Sequence, residues 1–488
     1  MTRERTSVFP AVETPLRSCT PPLVLGPLDG RYRHEAAPLV DYLSEAALNR
    51  ARIHVEVEWL IFLAASGVLP LRPLADEEAA YLRSLVTGFD SATIAALAET
   101  ESVTRHDVKA VEYLIRDHMS RAGDHLGSDT ILPRAVAAVH IFCTSEDINN
   151  LAYAVTIKAA IEEVWLPAAR TIVDRVDALA RSSASIPMLA HTHGQPATPV
   201  TMGKEMAVFA HRLTRQLERV ADTSYLGKIN GATGTWAAHL VSCPDADWPS
   251  LAREFVTSLG LDFNPLTTQI ESHDWQAELY ADVARFNRIA HNLSTDCWTY
   301  ISLGYFHQNL AAQGSTGSST MPHKVNPIRF ENAEANFEIS SALLDTLAQT
   351  LVTSRLQRDL TDSTTQRNIG VALGHSLLAL TNLTRGLDGI DVDAARLAKD
   401  LDENWEVLGE AIQQVMRVCD LAGVAGMDNP YERLKDLTRG RRVDGDAMRD
   451  FIRTLGLPKA EEARLLELTP ATYIGYSREQ ACRDRTGK

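Results

Sequence analysis

Four short segments of this chain hold residue types that can move protons or bind anions. The first, GSTGSSTMPHKVNPIRFENAEAN (residues 314–336), starts like a Gly/Ser linker and ends in a helical pattern. Between the two, Met321-Pro322-His323-Lys324-Val325-Asn326-Pro327 supplies two prolines and two candidate cations. This is not a nucleotide-binding P-loop, which needs G-x-x-x-x-G-K-[ST] after a strand. Here Gly317 is followed by Ser318-Ser319, and no strand pattern precedes it. A plain connector and a lid over a site both fit the composition. The second segment, HTHGQPATP (191–199), puts His191 and His193 one residue apart, ahead of Gly194 and two prolines. Two imidazoles suit a metal, but no third ligand stands out. Acid/base work needs a histidine with a pKa near the working pH, held by its neighbours, and Gly and Pro shape a turn that can hold one. The third, Thr104-Arg105-His106-Asp107-Val108-Lys109, sets a histidine beside an acid and two bases; its plain reading is a solvated helix start. The fourth, TSEDINN (144–150), gives hydroxyls and then acids. That is a capped helix N-terminus, which is also where N–H groups and hydroxyls receive carboxylates or phosphates.

Helices must position these segments. Leu279, Val283, Phe286, Ala290, Leu293, Cys297 and Ile301 recur at helical spacing and form one stripe. Met206, Ala210, Leu213, Leu217 and Val220 form another, as do Ile339, Leu343, Leu347 and Leu351, and Ile369, Leu373, Leu377, Leu380 and Leu383. A further helix is predicted from about 150 to 180, bent at Leu166-Pro167. Period-two alternation is scarce, so few strands are expected. Long striped helices pack side by side, and residues 134–386 read as such a bundle, with the loop 314–327 inside it. A shorter helical domain (26–133) precedes it and a charged helical domain (387–488), with LTRGRRVDGD as a turn, follows. Residues 1–25 read as a mobile tail.

Bulk composition excludes several classes of function. The chain has 488 residues, 45% of them hydrophobic, and can bury a large core. A net charge of −15 argues against a general nucleic-acid binder, which shows a basic face. A few focused cations can still dominate a pocket for a small anionic substrate. The six cysteines are scattered without a CxxC pair, which fits a reducing, cytoplasmic setting. No apolar run approaches the ~20 residues of a membrane span. The first 25 residues place prolines and charges where a signal peptide needs an apolar core.

Taken together, the four segments resemble the adenylosuccinate lyase family, in the fumarase/aspartase superfamily. Gly317 to Pro327 matches the superfamily signature G-S-S-x-M-P-x-K-x-N-P, a highly specific motif. LDGRY (28–32), HDVKAVEYL (106–114), TSEDINN (144–150), THGQPATP (192–199), GKINGATG (227–234), TTQIESHDW (267–275), SRLQRDLTDSTTQRN (354–368), NWEVL (404–408) and LTRGRRVD (437–444) are similar to the longer bacterial form. The resemblance runs from about residue 26 to 476. It implies an all-α, three-domain homotetramer with a central long-helix bundle and active sites shared between subunits. The implied activity is that of a carbon–nitrogen lyase, with reversible elimination of fumarate from adenylosuccinate, giving AMP, and from the succinylated aminoimidazole carboxamide ribotide. By the same resemblance Ser318 is the base, His193 the acid and His106 an assisting active-site histidine; Lys324 and Asn326 grip a succinyl carboxylate. Arg31 and Tyr32 match phosphate and ribose contacts, Arg105 and Asp107 flank His106 in a binding triplet, and Thr144 and Ser145 match succinyl-carboxylate hydroxyls. Gln269, Asn332, Arg358, Ser363 and Arg367 match further substrate contacts. No metal or organic cofactor, nucleic acid or membrane is implied.

The chain departs from the long form at Arg105, where Asn is usual, and at Ser315, where a carboxylate commonly stands. The second departure supports a rival reading: a paralogous lyase releasing fumarate from a modified nucleotide or another succinylated amine. A non-catalytic scaffold is the other rival. Retention of Ser318, His193, His106, Lys324 and Asn326 together argues against it.

Overall fold

The computed structural model describes residues 24–309, 324–438 and 443–484. Residues 1–23, which make up most of the expected tail, lie outside it, as do Ser315, Ser318 and part of the LTRGRRVDGD turn. The described chain is mostly helical, with three two-stranded sheets. The all-α expectation holds. Two compact units are present: 1–164 with 224–274 and 349–378, and 165–223 with 275–348 and 379–488.

The first unit is organised on the helix Glu45–Ser66. Ser44 caps it by accepting the Ala47 N–H at 3.1 Å, a contact worth about 1 kcal/mol in such helices. Gly67, at φ 74°, ends it in the left-handed region that glycine adopts without steric cost. Ile53, Val57, Trp59, Leu60 and Leu63 are buried, and the Trp59 ring meets Phe255 with centroids 4.8 Å apart. The helices Asp107–Ser120 and Ser145–Ala160 pack against it.

In the second unit, the helices Leu166–Ser182 and Met202–Ala221 lie against one another. Gly203 sets their approach: a Cβ there would stand 2.3 Å from the Ala180 carbonyl oxygen. The helix Asp274–Leu303 buries the expected stripe from Leu279 to Cys297, and Met206, Ala210, Leu213, Leu217 and Val220 are all buried as read. The stripe read from Ile339 is rotated. Ile339 is 46% exposed, and the buried row of the helix Ile328–Leu351 runs Phe330, Ala333, Phe337, Ser340, Leu344, Leu347 and Leu351. Ser340 interrupts that row and masks it in the hydrophobic pattern. Ser340 is tolerated there because its hydroxyl accepts from Asn287 at 3.0 Å, satisfying both buried groups. Before Pro167, where the sequence suggests a bend, Ile161–Trp165 forms a π-helical turn. Proline lacks the N–H that would continue the regular ladder. A C-terminal core of Trp405, Leu408, Ile412, Met416, Met448 and Ile452 completes this unit.

Candidate active site

In the first unit, the expected binding residues Asp107, Arg358, Ser363 and Arg367 stand in one interlocked polar network. Arg105 closes the helix Ser91–Thr104 at φ 53°, donating its N–H to Glu101. This sharp reversal starts the next helix two residues later, at Asp107. His106 caps that helix: its Nδ1 accepts the Lys109 N–H at 3.3 Å. In the neutral ring the proton therefore sits on Nε2. Asp107 meets Arg52 at 2.9 Å and Arg367 at 3.1 Å. Burial raises the Asp107 pKa, but Arg52, the Val108 N–H and Arg367 together outweigh that cost and hold the carboxyl below its ordinary range.

Arg52 carries the network onward. Its Nε donates to Asn149 Oδ1 at 2.9 Å, and Asn149 Nδ2 donates to Glu146 Oε1 at 2.8 Å. Glu146 also takes Arg358 Nη2 at 2.9 Å. Arg358 Nη1 donates to both oxygens of Asp362, at 2.7 and 2.6 Å. Burial again opposes the charge on Asp362; the His273 contact at 3.3 Å and the Arg358 guanidinium lower its pKa nonetheless. The Ser363 N–H donates to the same carboxylate at 2.6 Å. Two arginines assigned to substrate are thus each held by two carboxylates: Arg358 by Glu146 and Asp362, Arg367 by Glu45 and Asp107. A guanidinium fixed this way keeps its remaining N–H groups in a preset direction.

Thr144 and Ser145 open the helix Ser145–Ala160, as the TSEDINN pattern predicts. Asp147 accepts the Thr144 N–H at 2.9 Å. The other partners of Asp147 are Lys228 Nζ at 2.8 Å and the N–H groups of Asn230 and Gly231 at 2.9 and 3.1 Å. Lys228 and Asp147 are both 0% exposed. This pair ties the 227–231 segment to the start of the Thr144 helix. Gln269 Nε2 donates to the Ala232 carbonyl at 2.9 Å. Arg31 lies over the Tyr32 ring, 5.8 Å from its centroid. The turn that carries them is seated by Leu28, which packs where a Cβ on Gly374 would intrude to 2.7 Å.

The second unit holds the remaining described candidates. His193 and Gly194 form the two-residue tip of the hairpin Pro187–Thr192/Gln195–Thr201, in which Thr192 faces Gln195. Both have positive φ, 55° and 74°, as a type I′ turn requires. His193 is exposed. Lys324 is exposed and Asn326 half-buried; the Asn326 carbonyl accepts the Ile328 N–H at 2.8 Å at the entry to the helix Ile328–Leu351. Asn332 lies one turn along that helix and accepts from Asn336. Ser318 falls outside the described residues. Among the described residues no cluster of three or more His, Cys, Asp or Glu has the arrangement of a metal site, and no helix is long and apolar enough to cross a membrane.

The sequence reading missed Arg52, Glu146, Asn149, Asp362, His273 and Lys228 as parts of this network. Arg52 had a readable signal. It occupies the core stripe of an apolar helix, where charge persists only when paired.

Comparisons with known proteins bear on the same segments. Residues 30–337 match the family model "Lyase" and 354–474 match "Adenylosuccinate lyase C-terminal". The chain is similar to adenylosuccinate lyase of Haemophilus influenzae, 46% identical over 456 residues, covering 93% of this chain and 97% of that protein. It is similar to that of Escherichia coli, 47% identical over 453 residues, covering 92% and 96%. Among solved structures it resembles a fumarate lyase from a Mesorhizobium species (TM-score 0.72, 18% identity, covering 93% and 98%). A second is the 3-carboxy-cis,cis-muconate lactonizing enzyme of Pseudomonas putida (TM-score 0.70, 20% identity, covering 92% and 96%). These two share the fold. With near full-length identity above 45% and two family models spanning most of its length, the chain belongs to the adenylosuccinate lyase family of the fumarase/aspartase superfamily.

Proposed function

We propose that this chain eliminates fumarate, reversibly, from adenylosuccinate to give AMP, and from the succinylated aminoimidazole carboxamide ribotide. The near full-length relatives support the purine substrates over the specialised-paralogue reading. The observation that carries the site assignment is the doubly anchored pair Arg358 and Arg367, which presents fixed cations to an anionic nucleotide.

The chemistry assigns a task to each residue. A base removes a carbon-bound proton next to a succinyl carboxylate; the electron pair forms the C=C bond, the C–N bond breaks, and an acid protonates the departing nitrogen. Ser318 is the base. A serine hydroxyl acts as one only in a closed site that excludes water and stabilises its alkoxide. The Gly/Ser-rich segment around it suits a lid. Lys324 and Asn326 meet the negative charge developing on the carboxylate. Thr144 and Ser145 bind the succinyl group, His106 with Arg105 and Asp107 positions the substrate, and Arg31 and Tyr32 take phosphate and ribose. Gln269, Asn332, Ser363 and Arg367 complete the contacts. His193 is the acid. Its tip position, with both turn residues at positive φ, fixes the backbone that carries the imidazole. The reading includes three domains, a homotetramer with shared sites, no metal or organic cofactor, and a cytoplasmic setting.

Steady-state comparison of both purine substrates tests the proposal. Fumarate release from both supports it; release only from some other succinylated amine establishes the paralogue reading, and none from any substrate revives the scaffold.

A further inference from the structure

A buried imidazole stands behind the carboxylate that anchors Arg358, and the mechanism gives it no task. His273 is 1% exposed and lies in the left-handed region, at φ 61°. A residue other than glycine stays there only where its surroundings over-determine it. Here they do. The His273 N–H donates to Glu271 Oε2 at 2.9 Å, and Asn264 Nδ2 donates to the other oxygen of that buried carboxylate at 2.8 Å. The ring meets the short helix Thr361–Gln366 at two positions one turn apart. Its Nδ1 lies 3.4 Å from Gln366 Nε2, and its Nε2 lies 3.3 Å from Asp362 Oδ2. An amide nitrogen donates, so Nδ1 accepts and the ring proton sits on Nε2, facing the carboxylate. Arg358 Nη1 donates to that same Asp362 oxygen at 2.6 Å. Ser363 follows Asp362 on the helix, and Arg367 closes it.

We propose that His273 is a positioning residue: by holding Asp362 from behind, it sets the direction in which Arg358 presents its guanidinium to the substrate. The inference rests on the reading of Arg358 as a substrate contact given above. A carboxylate and a guanidinium paired only with each other can turn together, because both side chains rotate. A third contact from a fixed, buried ring removes that freedom before substrate arrives. The ring is fixed at both ends of the relay. Glu271 holds the backbone that carries it, and Gln366 selects the tautomer that donates to Asp362. The relay therefore runs from Gln366 through His273 and Asp362 to Arg358, whose second anchor is Glu146.

The test measures KM and kcat for adenylosuccinate, with urea unfolding beside them, in wild type and in single and double variants. Asn tolerates the positive φ and can still face Gln366, but it is too short to reach Asp362. His273→Asn therefore raises KM about threefold to tenfold and leaves kcat within about twofold of wild type, as loss of one hydrogen bond to a charged group implies. His273→Gln returns an amide N–H to the place of Nε2 and brings KM back towards wild type. Asp362→Asn raises KM about tenfold, and adding His273→Asn to it raises KM no further, because the ring acts only through that carboxylate. Where His273→Asn fails to fold, Gln366→Leu carries the test: it lets the ring turn its bare nitrogen to Asp362, and raises KM in the wild-type background only. Arg358→Lys keeps a cation but loses the fork, so it raises KM and supports the reading beneath the inference. If Arg358→Lys raises KM but His273→Asn leaves it at wild type, or multiplies it equally with and without Asp362, the relay is wrong and the Arg358 reading stands. If Arg358→Lys leaves KM unchanged, the Arg358 reading fails and the inference with it.

Discussion

The interlocked face of the first unit and the hairpin tip of the second are built on opposite plans. On the first, Arg52, Asp107, Asn149, Glu146, Arg358, Asp362 and Arg367 hold one another through consecutive contacts of 2.6 to 3.1 Å. On the second, His193 stands exposed on a two-residue turn and Lys324 is exposed before its helix starts. Groups that bind a multiply charged substrate gain from being fixed before it arrives, because the ordering cost is already met by folding. The proposed acid His193 sits on a short turn, where a small movement can bring it to the reacting atoms.

The largest effect that would break this contrast is at the transfer groups. Ser318→Ala is expected to lower kcat by about 10³-fold or more, with little change in substrate affinity measured by calorimetry. His193→Asn keeps a residue that tolerates positive φ, so it should leave the turn intact and still lower kcat by about 10²-fold to 10⁴-fold. The network residues should fail differently. Lys228→Met leaves Asp147 buried without its cation and is expected to cost about 3–5 kcal/mol in urea unfolding. Asp362→Asn loosens Arg358 and should raise KM about tenfold with a smaller change in kcat, as the loss of a charge-assisted contact of about 1.5 kcal/mol implies.

A smaller effect sharpens the contrast from the other side. His239 is buried beside the network, and neither ring nitrogen has a partner among the described residues. Burial lowers its pKa to about 4. Its neutral form is therefore at no disadvantage above the ordinary histidine value of about 6.5, and stability falls as pH drops from there towards about 4. His239→Leu should shrink the drop in Tm between pH 7 and pH 5 while leaving activity at pH 7 near wild type.

Much of this design was legible in the sequence because helical spacing and motif chemistry are local. The stripes on Met206–Val220 and Leu279–Cys297 are periodic, and TSEDINN announces a capped helix start. The turn at His193-Gly194 could be expected from its glycine and flanking prolines. The arginine anchors were harder to see. Glu45 and Arg367, or Glu146 and Arg358, lie hundreds of residues apart, and only folding pairs them. The rotated stripe at Ile339 failed for the same reason: Ser340 looks polar until Asn287 satisfies it.

The central claim is that a prebuilt anionic-substrate face works with a separate proton-transfer apparatus centred on Ser318 and His193. Its most direct test is to follow fumarate and AMP release from adenylosuccinate by wild type and Ser318→Ala, together with calorimetric binding of the same substrate. The account predicts stoichiometric fumarate and AMP from wild type, and near-normal binding without turnover from Ser318→Ala. Undiminished turnover by Ser318→Ala, or no fumarate from wild type, would contradict it.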